Sequence, residues 1–176
     1  MSEDNDYRYH LFVLRHGKAS SDTLGRDFER TLTDKGVEQA EKIGDWMYNH
    51  DLIPDFVLTS PATRALMTSN IVSKKLNIKQ ANRQVFSQIY EANLDTLLKV
   101  LNNCPLKNHK VLLVGHNPTL EYLVDYLLPA SITLGLKNDD RLFPATLAHI
   151  KMNVPWSQLA PNCAEGVSIT HGKLLS

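Results

Sequence analysis

Leu11-Phe12-Val13-Leu14-Arg15-His16-Gly17 is the stretch whose reading decides the fold. Four consecutive apolar residues, too few for a helix, describe a strand buried on both faces. Such strands belong to parallel sheets covered by helices. Two further apolar runs end in the same manner. Phe56-Val57-Leu58 leads into Thr59-Ser60-Pro61 and then Arg64, and Val111-Leu112-Leu113-Val114 leads into Gly115-His116-Asn117-Pro118. Ligands of open α/β sheets bind beyond the carboxyl ends of the strands. Two histidines and two arginines are therefore expected along one rim.

Between these runs the periodicity changes to that of helices, which predicts an α/β three-layer sandwich: a mostly parallel central sheet with helices on both faces. Strands are expected at residues 10–14, 56–59, 84–86, 110–114 and 145–152. The first helix is expected over 33–48, with Thr33 as N-cap and Val37, Ala40, Ile43, Gly44 and Met47 as its apolar stripe. Ser60 is expected to cap a second helix that has Pro61 at its first position and runs to about residue 76. A third helix is read over 94–101. A fourth starts at Pro118 behind Asn117 as cap, with Leu120, Leu123, Val124, Leu127 and Leu128 buried. A short helix at Trp156 and an edge strand near Val167 close the chain. The polar segment 18–31 is long for a connection in such a fold, which marks it as functional.

A chain of 176 residues reads as one domain over 9–176 behind a flexible polar tail at 1–8. Nineteen basic and nineteen acidic residues cancel, so no global field steers the protein to nucleic acid or to an anionic membrane. No apolar run is long enough to span a bilayer, and the acidic start of the chain lacks the layout of a signal peptide. A cytoplasmic location is expected. Cys104 and Cys163 do not suggest a disulfide framework. Neither is followed by the arginine that a cysteine phosphatase loop requires. With no HExxH, no CxxC, no aspartate cluster and no Walker loop, no metal and no cofactor is expected.

The residues expected at the rim share one chemistry. Neutral imidazole is a good nucleophile near pH 7, and His16 can attack phosphorus and hold the phosphoryl group covalently. Gly17 allows the backbone to approach a ligand closely. Arg15 offers a planar fork for phosphate oxygens. Arg64 lies in a first helical turn, where a cation opposes the helix dipole by about 0.3–1 kcal/mol unless an anion sits there too. His116 precedes another helix start, a favourable place for an anion, and would add a positive charge if protonated. Lys18 and Asn117 are further candidates for phosphate or substrate contact, with an exposed lysine and a helix cap as the alternatives. Arg26 and Arg30 could read an acidic substrate surface. His149 is read as a satisfied core residue, His50 as a helix-end residue answering the dipole, and His10, His109 and His171 as peripheral.

Three blocks carry a resemblance: Leu14-Arg15-His16-Gly17-Lys18-Ala19, Ser60-Pro61-Ala62-Thr63-Arg64-Ala65 and Val114-Gly115-His116-Asn117-Pro118. They resemble the signature blocks of the histidine phosphatase superfamily, whose fold is phosphoglycerate mutase-like. The Gly-His-Asn-Pro form, the short chain and Tyr90-Glu91-Ala92 are similar to the SixA-type phosphohistidine phosphatases. Arg30-Thr31-Leu32-Thr33-Asp34-Lys35-Gly36 and, more loosely, Phe143-Pro144-Ala145-Thr146 extend the likeness. The resemblance implies that His16 is the phosphorylated nucleophile and that Arg15, Arg64 and His116 form the phosphate pocket, able to hold a phosphate or sulfate ion. It implies a metal-independent hydrolase whose substrate is phosphohistidine on a protein, such as a histidine-phosphotransfer domain in signal transduction. Glu91 stands where larger relatives place a proton donor. A solvated loop residue or a cap of the following helix is the other reading. Two rival functions remain: a small-molecule phosphatase or mutase on the same fold, and a phosphate-recognition module without turnover.

Overall fold

The structure, a computed structural model, describes residues 7–21, 25–136 and 141–176. Most of the expected tail, residues 1–6, and residues 22–24 of the long polar segment lie outside that set. Six strands form one sheet: β1 (Tyr9–Arg15), β2 (Phe56–Thr59), β3 (Arg83–Val85), β4 (Lys110–Gly115), β5 (Thr146–Met152) and β6 (Gly166–His171), in the order β3-β2-β4-β1-β5-β6. The ladders β1/β4, β2/β4 and β2/β3 are parallel, whereas β5 and β6 are antiparallel additions on one side. Helices α1 (Asp34–Asn49), α2 (Thr63–Lys75), α3 (Leu94–Asn102), α4 (Thr119–Leu127) and the single turn α5 (Ala130–Thr133) complete the three layers.

Successive strand residues alternate between two cores, as the pleat requires. Leu11, Val13, Val111 and Leu113 pack with Leu97, Leu101, Leu120 and Leu123 of α3 and α4. Phe12, Leu14, Leu112 and Val114 pack with Ile43, Met47, Ala65 and Val72 of α1 and α2. The helices on both faces explain why β1 and β4 read as unbroken apolar runs rather than alternating ones.

The predicted elements agree with the observed ones to within a residue or two; what differs is the capping of two helices. Thr33 caps α1 by accepting from Gly36 N at 3.1 Å. In its apolar stripe Val37 is half-buried, and Gly36 and Gln39 are buried instead. Helix α2 begins at Thr63, not at Pro61. Ser60 does accept from Ala62 N, at 3.2 Å, but its hydroxyl is shared with a side chain of the rim. Helix α4 begins at Thr119 behind Pro118, and the Asn117 side chain bonds forward to Glu121 rather than capping. The segment at Trp156 is a single 3-10 turn, and the edge strand at Val167 is present. His10 is not peripheral: it is buried and lies 2.9 Å from the buried His149. No helix among the described residues is long and apolar enough to cross a membrane.

Candidate active site

Register brings distant residues to one rim. Arg15 pairs with Gly115 and Thr59 with Val114, so the parallel strands β1, β2 and β4 end side by side. His16 N donates to Gly115 O at 3.3 Å, and Ser60 N to Val114 O at 3.1 Å. Because β5 runs antiparallel to β1, the segment preceding β5 arrives at the same edge, where Ala145 N donates to the Arg15 and His16 carbonyls at 3.2 and 3.0 Å.

His16 is 8% exposed and held at both ring nitrogens. Its Nδ1 lies 2.7 Å from Gly17 O, a carbonyl that can only accept, so Nδ1 carries the proton and Nε2 keeps its lone pair. Arg64 Nε donates to that Nε2 at 3.2 Å. Burial pushes the imidazole down to about 4; the Gly17 carbonyl opposes, and Arg64, Arg15 and Arg30 add to the depression. His16 is thus neutral at pH 7 with its lone pair turned into a cationic surround.

Thr68 ties the turn after β1 to α2. Its hydroxyl accepts from Gly17 N at 3.0 Å and donates to Arg64 O at 2.8 Å. Gly17 passes so close to Gly36 that a Cβ on it would lie 2.5 Å from Gly36 O, which is the physical demand for glycine at this turn.

Arg64, 6% exposed, directs one N–H from each Nη at a single residue and keeps a second N–H on each. Nη1 donates to Asp27 O at 2.6 Å and Nη2 to Asp27 Oδ2 at 2.9 Å. The anion expected beside this first-turn cation is therefore supplied by the protein itself. The same carboxylate accepts from Tyr90 OH at 2.8 Å and from Arg30 Nη1 at 3.0 Å. These bonds, that from Tyr90 foremost, hold Asp27 down to about 2.

His116 completes the centre, with its ring centroid 5.3 Å from that of His16. Its Nε2 lies 2.7 Å from Ser60 Oγ, while Nδ1 is buried with no hydrogen-bond partner among the described residues. Burial, reinforced by His16 and Arg64, pushes it down to about 3, so this imidazole is neutral at pH 7 rather than a fixed positive charge. The edge of the Tyr90 ring meets it at 5.7 Å, and Phe28 packs edge-on against Tyr90 at 5.0 Å.

Arg15 donates from Nη1 to Leu142 O at 2.9 Å, the carbonyl that also receives Asn117 Nδ2 at 2.9 Å. Glu121 Oε1 accepts from Asn117 Nδ2 and from Leu142 N, so Asn117 and Glu121 fix the segment against which Arg15 rests. Burial lowers the Arg15 guanidinium from its usual value, and Glu121 opposes that shift.

His16, Arg64 and His116 thus converge with Arg15 at one rim. Among the described residues neither the Lys18 nor the Glu91 side chain hydrogen-bonds to these four. The Lys18 side chain is exposed, and its backbone bonds Gln39 and Thr33. Glu91 is exposed in a shallow hollow with Ser87, Gln88, Tyr90 and Thr96, and Asn93, not Glu91, caps α3. Arg30 bonds Ser20 O and Asp27, and Arg26 pairs loosely with Glu29. Sequence reasoning missed Asp27, Tyr90 and Thr68. Asp27 does lie in the long polar segment that had been singled out, and Tyr90 in one of the resemblance blocks. Among the described residues no group of three or more His, Cys, Asp or Glu side chains is placed to hold a metal ion.

The profile of the histidine phosphatase superfamily (branch 1) matches residues 11–95, which carry His16 and Arg64. Over that stretch, just under half of its length, the chain is similar to the histidine phosphatase superfamily. Within it the chain resembles SixA-type proteins. It is 28% identical over 123 residues to phosphohistidine phosphatase SixA of Escherichia coli K12, covering 68% of this chain and 74% of that protein. A protein assigned as SixA from Agrobacterium tumefaciens superposes with a TM-score of 0.73 at 27% identity, over 82% of this chain and 92% of the other. The protein histidine phosphatase SixA complexed with tungstate has the same fold: TM-score 0.77 at 20% identity, over 93% of this chain and 97% of that one.

Proposed function

We propose that the protein is a phosphatase that works through a phosphohistidine on His16 and removes phosphate from phosphohistidine on another protein. One observation carries the reading: a buried, neutral imidazole whose Nδ1 is fixed on Gly17 O turns its Nε2 lone pair toward the guanidinium of Arg64. The likeness to proteins named SixA supports the substrate class.

The reaction runs in two balanced steps. His16 Nε2 forms a bond to phosphorus as the substrate P–N bond breaks, and the electron pair of that bond returns to the leaving nitrogen. Water then attacks phosphorus, the bond to His16 Nε2 breaks, and the water protons leave with the released phosphate. Arg15, Arg64 and His116 stabilise the equatorial oxygens, which bear the charge in both steps. Gly17 O holds the proton on Nδ1 throughout. Asn117 acts by fixing the Leu142 segment beneath Arg15. A short chain with little insertion over the rim suits a phosphorylated side chain presented by a protein.

The test is a comparison of turnover on a phosphohistidine protein, sugar phosphates and phosphoserine peptides, with metal chelated throughout. The reading predicts that the phosphohistidine protein is hydrolysed with the highest kcat/KM. Preference for a sugar phosphate, or a requirement for added metal, would contradict it.

A further inference from the structure

Asp27 is the feature of the rim that phosphate chemistry alone does not account for. A carboxylate against the principal phosphate-binding arginine repels a phosphoryl dianion, yet this one is anchored by three side chains, Arg64, Tyr90 and Arg30. Its position is informative. One guanidinium separates Asp27 Oδ2 from His16 Nε2, so the two atoms are at most about 8.5 Å apart. In-line displacement places the leaving group opposite the nucleophile. His16 is buried, so the leaving group departs toward solvent; the Asp27 side chain is half exposed and bonded to Tyr90, whose ring packs on His116 of the same centre. With the nucleophile about 3–3.5 Å from phosphorus at attack, the far nitrogen of a departing imidazole falls at a similar distance, roughly 7 Å from His16 Nε2.

We propose, building on the functional reading above, that Asp27 determines specificity: its carboxylate accepts a hydrogen bond from the distal ring N–H of a phosphohistidine leaving group and selects imidazole over alkoxide departure. The substrate ring enters protonated on its distal nitrogen. As the P–N bond breaks, its electron pair returns to the ring, which leaves as neutral imidazole with no further proton required. The ionised carboxylate stabilises that distal N–H, both before and during departure. An alkoxide leaving group needs a proton that Asp27, held ionised by its three donors, does not have. The same negative charge opposes the charge growing on the departing oxygen. Arg64 and Arg30 offset the repulsion between Asp27 and the phosphoryl group.

The test uses Asp27→Asn and Asp27→Glu in the full chain, with kcat/KM measured on a phosphohistidine peptide and on p-nitrophenyl phosphate. Orthovanadate inhibition reports whether Arg64 still shapes the pocket. The ratio of the two kcat/KM values, phosphohistidine over ester, should fall about tenfold or more in Asp27→Asn and recover in Asp27→Glu, with vanadate still bound. An unchanged ratio overturns the proposal. So does a parallel fall on both substrates with loss of vanadate binding, which would make Asp27 a prop for Arg64 only. Wild-type protein that is active on the ester but inert toward phosphohistidine overturns the functional reading instead, and this inference with it.

Discussion

His16 and Arg64 divide the labour of the rim at the level of single atoms. The imidazole keeps its proton on Nδ1 and its lone pair on Nε2, and the guanidinium keeps that lone pair inside a positive field. If Arg64 acts as proposed, replacing it by Ala should lower kcat/KM by about two orders of magnitude or more, the loss expected for a preorganised transition-state donor worth roughly 2.7–4 kcal/mol; steady-state kinetics on a phosphohistidine peptide checks this. The histidines also set a pH dependence. Both His16 and His116 are depressed in the folded protein, to about 4 and about 3, from an ordinary value of 6.5. As pH falls below 6.5 the unfolded chain takes up protons at these sites that the folded chain refuses. Their contribution to stability is therefore whole above pH 6.5 and is lost between there and about pH 3. Urea unfolding at stepped pH should show stability falling through that window, and replacing His116 by Asn should flatten its lower part. Orthovanadate should raise the His116 titration midpoint seen by NMR, because an anion at the rim favours the charged ring. At this scale His16, Arg15, Arg64 and His116 were legible because each directly follows a buried strand or opens the helix after one. Asp27 was not: it reaches Arg64 across 37 residues from a loop with no period, and no spacing signals that contact.

Among the elements, the joint between the turn after β1 and the start of α1 has the least room. A Cβ on Gly36 would lie 2.1 Å from Lys18 O, and this obstacle is backbone that cannot swing aside. Gly36→Ala should force the turn bearing Gly17 and Lys18 away from α1, costing about 1–3 kcal/mol as overpacking does. The damage would extend to the Gly17 carbonyl that fixes His16 Nδ1. Chemical denaturation and kcat measured together should both register it, whereas a change confined to stability would show that the turn and the nucleophile are uncoupled. Element identities were legible from periodicity, as were the starts of α1 and α3, whereas the caps of α2 and α4 were not. Ser60 and Asn117 have the composition of caps, yet the Ser60 hydroxyl is shared with His116 and the Asn117 amide is drawn to Glu121 and Leu142. Tertiary partners that sequence does not display thus took the side chains that local rules assign to helix ends.

The whole molecule is a device for bringing chain-distant residues to one edge. Parallel register aligns the ends of β1, β2 and β4, the two helical layers bury both faces, and antiparallel β5 returns the Leu142–Ala145 segment to the same rim. The three-layer architecture was legible because strands buried on both faces admit few other arrangements. The pairing of His10 with His149 was not, since a histidine at a strand start reads as surface until the fold covers it. The proposed function rests above all on the transfer of a phosphoryl group to one imidazole. The decisive measurement is rapid quench of the protein with a radiolabelled phosphohistidine substrate, followed by mapping of the labelled residue. An acid-labile, alkali-stable phosphoryl group should appear on His16 and decay at rates compatible with turnover, and it should be absent from His16→Ala, which also loses activity. Undiminished turnover by His16→Ala, or label on any other residue, would contradict the proposed function.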